Sequence, residues 1–418
     1  MNKNLKTSPW AWVPSLYFAQ GLPYVAVMTI SLIMYKRLGI SNAEIAFYTG
    51  WLNLPWVIKP LWSPFVDLIK TKRWWITLMQ LLIGAGLAGI AFTIPTEHFF
   101  QLTLAVFWLM AFSSATHDIA ADGFYMLGLD NREQALFVGI RSTFYRIATI
   151  AGQGLLIMLA GYLETSTGDI PFAWSITFMV LAGIFLGTWV YHKFVLPYPD
   201  SDTPAKSLAA SLIMKEFWQT FVSFFQKKQA KVAILFMLLY RLPEAQLAKL
   251  SIPFLVDPVT EGGLGLTTEQ IGFVQGTVGI IGLTLGGILG GIAVSRQGLK
   301  RWIWPMVCAI SIPDAVYVYL SYAQPESLSL INLCVFIEQF GYGFGFTAYM
   351  LYLIRFADGE HKTAHYAICT AFMALGMMIP SMAAGWLQEM MGYQMFFIWI
   401  MVCTFATFGV TALLKLED

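Results

Sequence analysis

Leu38-Gly-Ile-Ser-Asn-Ala-Glu-Ile-Ala-Phe-Tyr-Thr-Gly50 returns later in the chain as Leu264-Gly-Leu-Thr-Thr-Glu-Gln-Ile-Gly-Phe-Val-Gln-Gly276. Each copy reads as a loop leading into a helix, with Ser41 or Thr267 placed to cap it. The repetition continues downstream. Ser63-x-x-x-Asp67 followed by Lys72-Arg73 matches Gly291-x-x-x-Ser295 followed by Lys300-Arg301 at a constant offset of 228 residues. Tyr125-Met-Leu then pairs with Tyr349-Met-Leu. A period of about 220 to 228 residues in a chain of 418 predicts two halves of like design and like orientation.

What those halves are follows from composition. Only 12% of the residues are charged and 57% are hydrophobic, where a soluble protein carries roughly 25% charged residues. A surface so poor in charge needs lipid as its solvent. A helix crosses a bilayer core in ~20 apolar residues, and runs such as Trp74–Thr96, Ile170–Tyr191 and Met390–Leu414 contain no charge at all. Spans are predicted near 12–35, 42–66, 74–95, 101–128, 135–162 and 171–192, then near 232–255, 268–294, 302–323, 329–354, 363–383 and 393–414. The expected fold is therefore an all-α polytopic membrane protein of about twelve spans, with one half at 1–192 and the other at 232–418. The run from Thr7 to Tyr35 is longer than a signal-peptide core and is read as an uncleaved span.

Lys and Arg favour cytoplasmic loops. With both termini inside, the inner segments hold 18 of them and the outer segments two, Lys36 and Arg37. The inner connection 193–231 begins with the linker Pro197-Tyr-Pro-Asp-Ser-Asp-Thr-Pro204. It continues with Ile213, Phe217, Phe221 and Phe224 on one stripe, opposite Glu216, Gln219, Thr220 and Ser223. That pattern predicts an amphipathic helix on the inner membrane surface.

Gly291-x-x-x-Ser295-Arg296-x-Gly298-x-Lys300-Arg301 resembles the inner-loop signature of the major facilitator superfamily, with Ser295 where an acid is usual. The first copy keeps Asp67, Lys72 and Arg73 but lacks the glycines. A closer resemblance is to the peptide and acetyl-CoA transporter branch, and within it to AmpG-type muropeptide permeases. It rests on Gly21-Leu-Pro23, Trp62-Ser-Pro-x-x-Asp67, Asp118-Ile-Ala-x-Asp122 and Glu338-Gln-Phe-x-Gly-x-Gly343. The resemblance implies proton-driven import of anhydro-muropeptides at the cell inner membrane, a monomer, and a central cavity lined by the first, fourth, seventh and tenth spans.

Ionisable residues at membrane depth are functional candidates by default. Five cations, Lys59, Arg141, Arg146, Arg241 and Lys249, stand against five acids, Asp118, Asp122, Glu244, Asp314 and Glu338. Counting equally away from the loop near Asn131–Arg132 puts Asp122 level with Arg141 and Asp118 almost level with Arg146. Such pairs either exchange a proton for a substrate charge or are permanent salt bridges. Asp118, Asp122, Arg141, Arg146 and Glu338 are thus the candidates for proton coupling and gating. Gln20, His117, Tyr240, Arg241, Glu244 and Gln339 are the candidates for substrate contact. Arg241 would bind a carboxylate of a peptide or pair with Glu244 or Glu338, and His117 is either site or packing. The pairs Leu22-Pro23 and Leu242-Pro243 predict equivalent helix breaks. Asp314 and Lys249 take no role in this reading. Glycines from Gly282 to Gly291 predict close helix packing.

Several classes are disfavoured. No GxxxxGK[ST] motif is present, so the driving force is an ion gradient or the solute's own. Cys308, Cys334, Cys369 and Cys403 lie in apolar runs without CxxC spacing, and no HExxH or GxSxG occurs. No cofactor, metal or nucleic-acid partner is expected; the expected partners are the bilayer, protons and a small anionic, sugar-linked solute. Rival readings keep the fold and change the solute, to an acetyl-CoA-like nucleotide, an oligosaccharide or a siderophore, or make the chain a non-transporting sensor.

Overall fold

A computed structural model describes residues 7–203, 215, 218–219, 221–359 and 362–415. Of the expected inner-surface helix, Ile213, Glu216, Phe217 and Thr220 lie outside the described residues, as does the side chain of Asp67. Helices form the whole of the regular structure there. In the first sequence half they are α1 (Pro9–Val25), α2 (Ser31–Arg37), α3 (Asn42–Trp51), α4 (Leu54–Ile69), α5 (Lys72–Thr93), α6 (Phe99–Gly128), α7 (Asn131–Ile150), α8 (Ile157–Thr167) and α9 (Ile170–Val195). In the second they are α10 (Ala230–Leu239), α11 (Leu242–Val256), α12 (Thr268–Phe273), α13 (Ile280–Gln297), α14 (Leu299–Ser311), α15 (Ala315–Ala323), α16 (Leu328–Ala357) and α17 (Lys362–Ala412).

Among the described residues nine helices are long and apolar enough to cross a membrane. Twelve expected spans become nine for local reasons. The second span is interrupted at Leu52-Asn53 and the seventh at Tyr240-Arg241, so neither forms one long helix. The eleventh and twelfth run together as α17, bent where Gly392 takes φ 74° and ψ 167°. That backbone geometry is open to glycine and costly for other residues.

The two proline breaks differ. Pro243 sits in the first turn of α11, where its missing N–H costs nothing. Pro23 lies inside α1, and the strain is relaxed by a π-helical turn at Ala26–Ile30 that carries the helix onward. Further π turns occupy Ala151–Leu156 and Val274–Gly279.

The helix starts follow the sequence. Ser41 Oγ accepts the Glu44 N–H at 3.2 Å. Thr267 forms a reciprocal box with Gln270, and Asp130 another with Glu133, at 3.0 and 2.8 Å.

The chain groups into two compact units. The first holds Met1–Met34 and Ile58–Glu216. Its core sets Trp12, Leu16 and Tyr17 of α1 against Ala121, Phe124 and Tyr125 of α6. The second holds Tyr35–Val57 and Phe217–Asp418, so it includes α3 from the first sequence half. Its core stacks Tyr240 on Tyr349, with ring centroids 5.2 Å apart, and adds Phe236, Met306 and Leu353. Within this unit α13 and α16 touch along glycines. A Cβ built at Gly286 would stand 2.1 Å from the Phe340 carbonyl oxygen, and one at Gly343 the same distance from that of Leu283.

Candidate functional site

In the first unit, α6 and α7 run antiparallel from the Asp130 cap, and that geometry brings Asp122 to Arg141. Arg141 Nη1 lies 3.4 Å from Asp122 Oδ1. Tyr17 of α1 closes the group: its hydroxyl donates to Asp122 Oδ1 at 3.0 Å and accepts from Arg141 Nη1 at 2.9 Å. The guanidinium also lies over the Tyr17 and Tyr125 rings, at 4.9 and 5.0 Å. The Asp122 side chain keeps 47% exposure and Arg141 33%, so this ion pair is both restrained and reachable.

The second expected pair is not formed. Asp118 lies 4.0 Å from Lys59 of α4, while Arg146 is exposed and makes no ion pair among the described residues. Helix geometry gives the reason. Five residues separate Arg141 from Arg146, about 500° of rotation, which leaves their side chains about 140° apart around the axis. Loop counting fixes height in the membrane and not the direction in which a side chain points.

His117 is fully enclosed, in a polar chain the sequence does not announce. Gln80 lies between two imidazoles, 3.0 Å from His117 Nε2 and 2.9 Å from His192 Nδ1. His192 Nε2 is 2.9 Å from Ser15 Oγ. Gln20, one turn from Tyr17, is buried with its Oε1 lacking a hydrogen-bond partner.

In the second unit, Arg241 occupies the break between α10 and α11. Its guanidinium donates to the Tyr342 hydroxyl and lies over the Tyr342 and Phe346 rings, at 5.2 and 4.8 Å. It makes no ion pair with Glu244 or Glu338 among the described residues, and its Nε has no hydrogen-bond partner. Tyr240 is buried and donates to the Gly345 carbonyl at 3.0 Å. Gln339 Nε2 donates to both oxygens of Glu338, at 3.2 and 3.0 Å. Lys249 donates to Thr49 Oγ1 at 2.7 Å.

The inner-loop basic residues act at helix ends. The backbone N–H groups of Lys72 and Arg73 donate to Asp202 at 2.7 and 3.0 Å, so the linker caps α5. Arg73 also donates to the Leu196 carbonyl at 3.2 Å and lies over Tyr198 at 3.8 Å. In the second copy Gly298 takes φ 80° at the turn from α13 to α14, and Arg296, Lys300 and Arg301 are exposed.

One cluster has no sequence forecast. Lys36 Nζ meets Asp257 Oδ1 at 2.5 Å and Asn42 Oδ1 at 2.8 Å. Asn42 Nδ2 also reaches Gln388 at 2.8 Å and Tyr393 at 2.9 Å. The sequence hint is that Lys36 is one of the two basic residues expected in the outer segments.

A sequence model of the Major Facilitator Superfamily matches residues 15–363, and the chain belongs to that family. It is a transporter and a multi-pass membrane protein. Within the family it is similar to a Rickettsia conorii protein that carries the name AmpG 4, with 26% identity over 401 residues covering 93% of this chain and 92% of that one. It is similar also to the anhydromuropeptide permease of Escherichia coli, 25% identical over 396 residues, covering 92% of this chain and 75% of the permease. Among solved structures the nucleoside transporter NupG superposes with a TM-score of 0.71 at 16% identity over the whole of both chains. A D-xylose-proton symporter superposes with a TM-score of 0.70 at 12% identity, covering 98% of this chain and 97% of that one. These two likenesses concern the fold.

Proposed function

We propose that the chain imports anhydro-muropeptides across the cell inner membrane by alternating access, acts as a monomer with both termini in the cytoplasm, and couples uptake to protons. The observation that carries this reading is the Asp122–Arg141–Tyr17 group, an ion pair at membrane depth that is nearly half exposed on its acidic side. A proton taken up by Asp122 removes the charge that holds Arg141. The guanidinium is then free to meet a carboxylate of an incoming peptide bidentately. Deprotonation on the other face restores the pair and expels the solute. Asp118 and Glu338 remain further candidates for the proton. Arg241, Tyr240, Glu244, Gln20, His117 and Gln339 are the proposed solute contacts. Kinship with proteins named for AmpG and for anhydromuropeptides supports this choice of solute.

The test is uptake of labelled N-acetylglucosaminyl-anhydro-muramyl tripeptide into proteoliposomes, with and without an inward proton gradient. Gradient-stimulated accumulation is expected, and Asp122→Asn should lose it while the protein stays folded. Accumulation by Asp122→Asn equal to that of the unaltered chain would sink the coupling role.

A further inference from the structure

Three acids far apart in sequence converge inside the second unit. Glu244 comes from α11, Asp314 from the turn between α14 and α15, and Glu338 from α16. One carboxylate oxygen of each lies within 4.8 Å of the others, and all three residues are buried. Enclosing like charges this way is costly unless a counter-charge joins them. Among the described residues no Lys or Arg forms an ion pair with any of the three. Arg241, three positions before Glu244, acts on it electrostatically but forms no ion pair with it; its guanidinium donates to Tyr342 and lies over Phe346.

Two oxygens in the cluster, Asp314 Oδ2 and Glu244 Oε2, have no hydrogen-bond partner, although the residues are only 2% and 4% exposed. Ser311 Oγ, one turn before Asp314, is likewise buried and unpartnered. Buried acceptors without donors, on residues whose carboxylates converge, call for a positive ligand, and the spacing says which kind. A carboxylic acid sharing its proton with a carboxylate brings the oxygens to about 2.5–2.7 Å. Among the described residues no hydrogen bond joins the three carboxylates. A hard cation holds oxygens at about 2.3–2.6 Å, so oxygens on opposite sides of it stand about 4.6–5.2 Å apart and adjacent ones closer. A set confined within 4.8 Å has the dimensions of one coordination shell.

We propose that Glu244, Asp314 and Glu338 bind a hard, oxygen-ligated metal cation, Na+ or Ca2+, within the second unit. Gln339 fixes the Glu338 carboxylate by donating to both its oxygens. Glu244 opens α11 just after the break at Arg241, so the ion ties that break to α15 and α16. Here Glu244 and Glu338, named above as a solute contact and a proton candidate, serve the ion instead, and the Asp122–Arg141–Tyr17 group is untouched.

The experiment uses the purified full chain in detergent, in buffer whose only monovalent cation is choline. Melting is followed while NaCl replaces choline chloride at constant ionic strength, and separately while CaCl2 is added. A saturable rise of about 5 °C is expected for the ion that binds, and comparing the two arms identifies it. Asp314→Asn and Glu338→Gln should each raise the half-saturating concentration at least about tenfold. No saturable rise with either ion overturns the proposal, as does a rise unchanged by Asp314→Asn. Should Asp314→Asn fail to fold, equilibrium binding of radioactive sodium and calcium to the unaltered chain and to Glu338→Gln decides the matter. One bound ion lost in the variant supports the site, and none bound overturns it.

Discussion

Replacing Gly286 by alanine tests how α13 and α16 hold together. The added methyl carbon would lie 2.1 Å from the Phe340 carbonyl oxygen and 2.9 Å from the Phe344 nitrogen. Both are backbone atoms, so no side chain can rotate away. Restoring an ordinary contact of 3.4 Å moves one helix by about 1.3 Å. Overpacking of this kind costs about 1–3 kcal/mol, set against about 0.5–1 kcal/mol gained from alanine's better helix propensity. Gly291, five residues along the same helix, has nothing within 4 Å of its built Cβ. There alanine should gain the propensity and lose nothing. Adding the clash cost back, the two variants should differ by about 1–3 kcal/mol in stability, or roughly 1–3 °C in melting temperature for a chain of 418 residues. A thiol-reactive dye reporting exposure of the buried Cys334, Cys369 and Cys403 measures this directly. Equal melting of Gly286→Ala and Gly291→Ala would refute close backbone contact as the source of this helix pair's stability.

Lys36→Met should destabilise the second unit by about 3 kcal/mol, because it leaves Asp257 buried without its cation; the double variant Lys36→Met, Asp257→Leu should recover most of that loss in the same melting assay. Gln80→Leu should cost about 1–3 kcal/mol by stripping a shared partner from His117 and His192. A smaller loss would mean that water replaces the amide. Asp202→Ala removes the acceptor for two N–H groups at the start of α5 and should cost about 1 kcal/mol; faster proteolysis in the 197–204 linker should accompany it.

Much of the architecture is legible in the chain because apolar length and the two-fold repeat are local or periodic signals. Ser41 and Thr267 cap the helices they were expected to cap, since a cap depends on three neighbouring residues. The pairing of Asp122 with Arg141 is legible for a related reason: a tight loop between antiparallel helices makes counting equivalent to measuring height. Counting fails for Asp118 and Arg146 because rotation about the axis is invisible to it. It fails altogether for the carboxylate cluster, whose members lie 70 and 24 residues apart in sequence, on two helices and the turn before a third. Asp314 is carried there by the break between Ser311 and Ala315, which Pro313 marks but whose direction the sequence does not give. The count of long helices falls short of the span count because Leu52-Asn53 and Tyr240-Arg241 interrupt runs that hydropathy reads as continuous.

The contacts of Lys36 and Asn42 set a timetable for the nascent chain. Asn42 is separated from Asp257 by 215 residues and from Gln388 by 346. At a synthesis rate of roughly 5–20 residues per second, the Asn42–Gln388 separation of 346 residues takes about 17–70 seconds to translate. During that interval Asn42 waits for Gln388, while Lys36, six residues away, is already within the chain that has been made. This polar cluster of the second unit is therefore completed only once Gln388 and Tyr393 of α17 have been made.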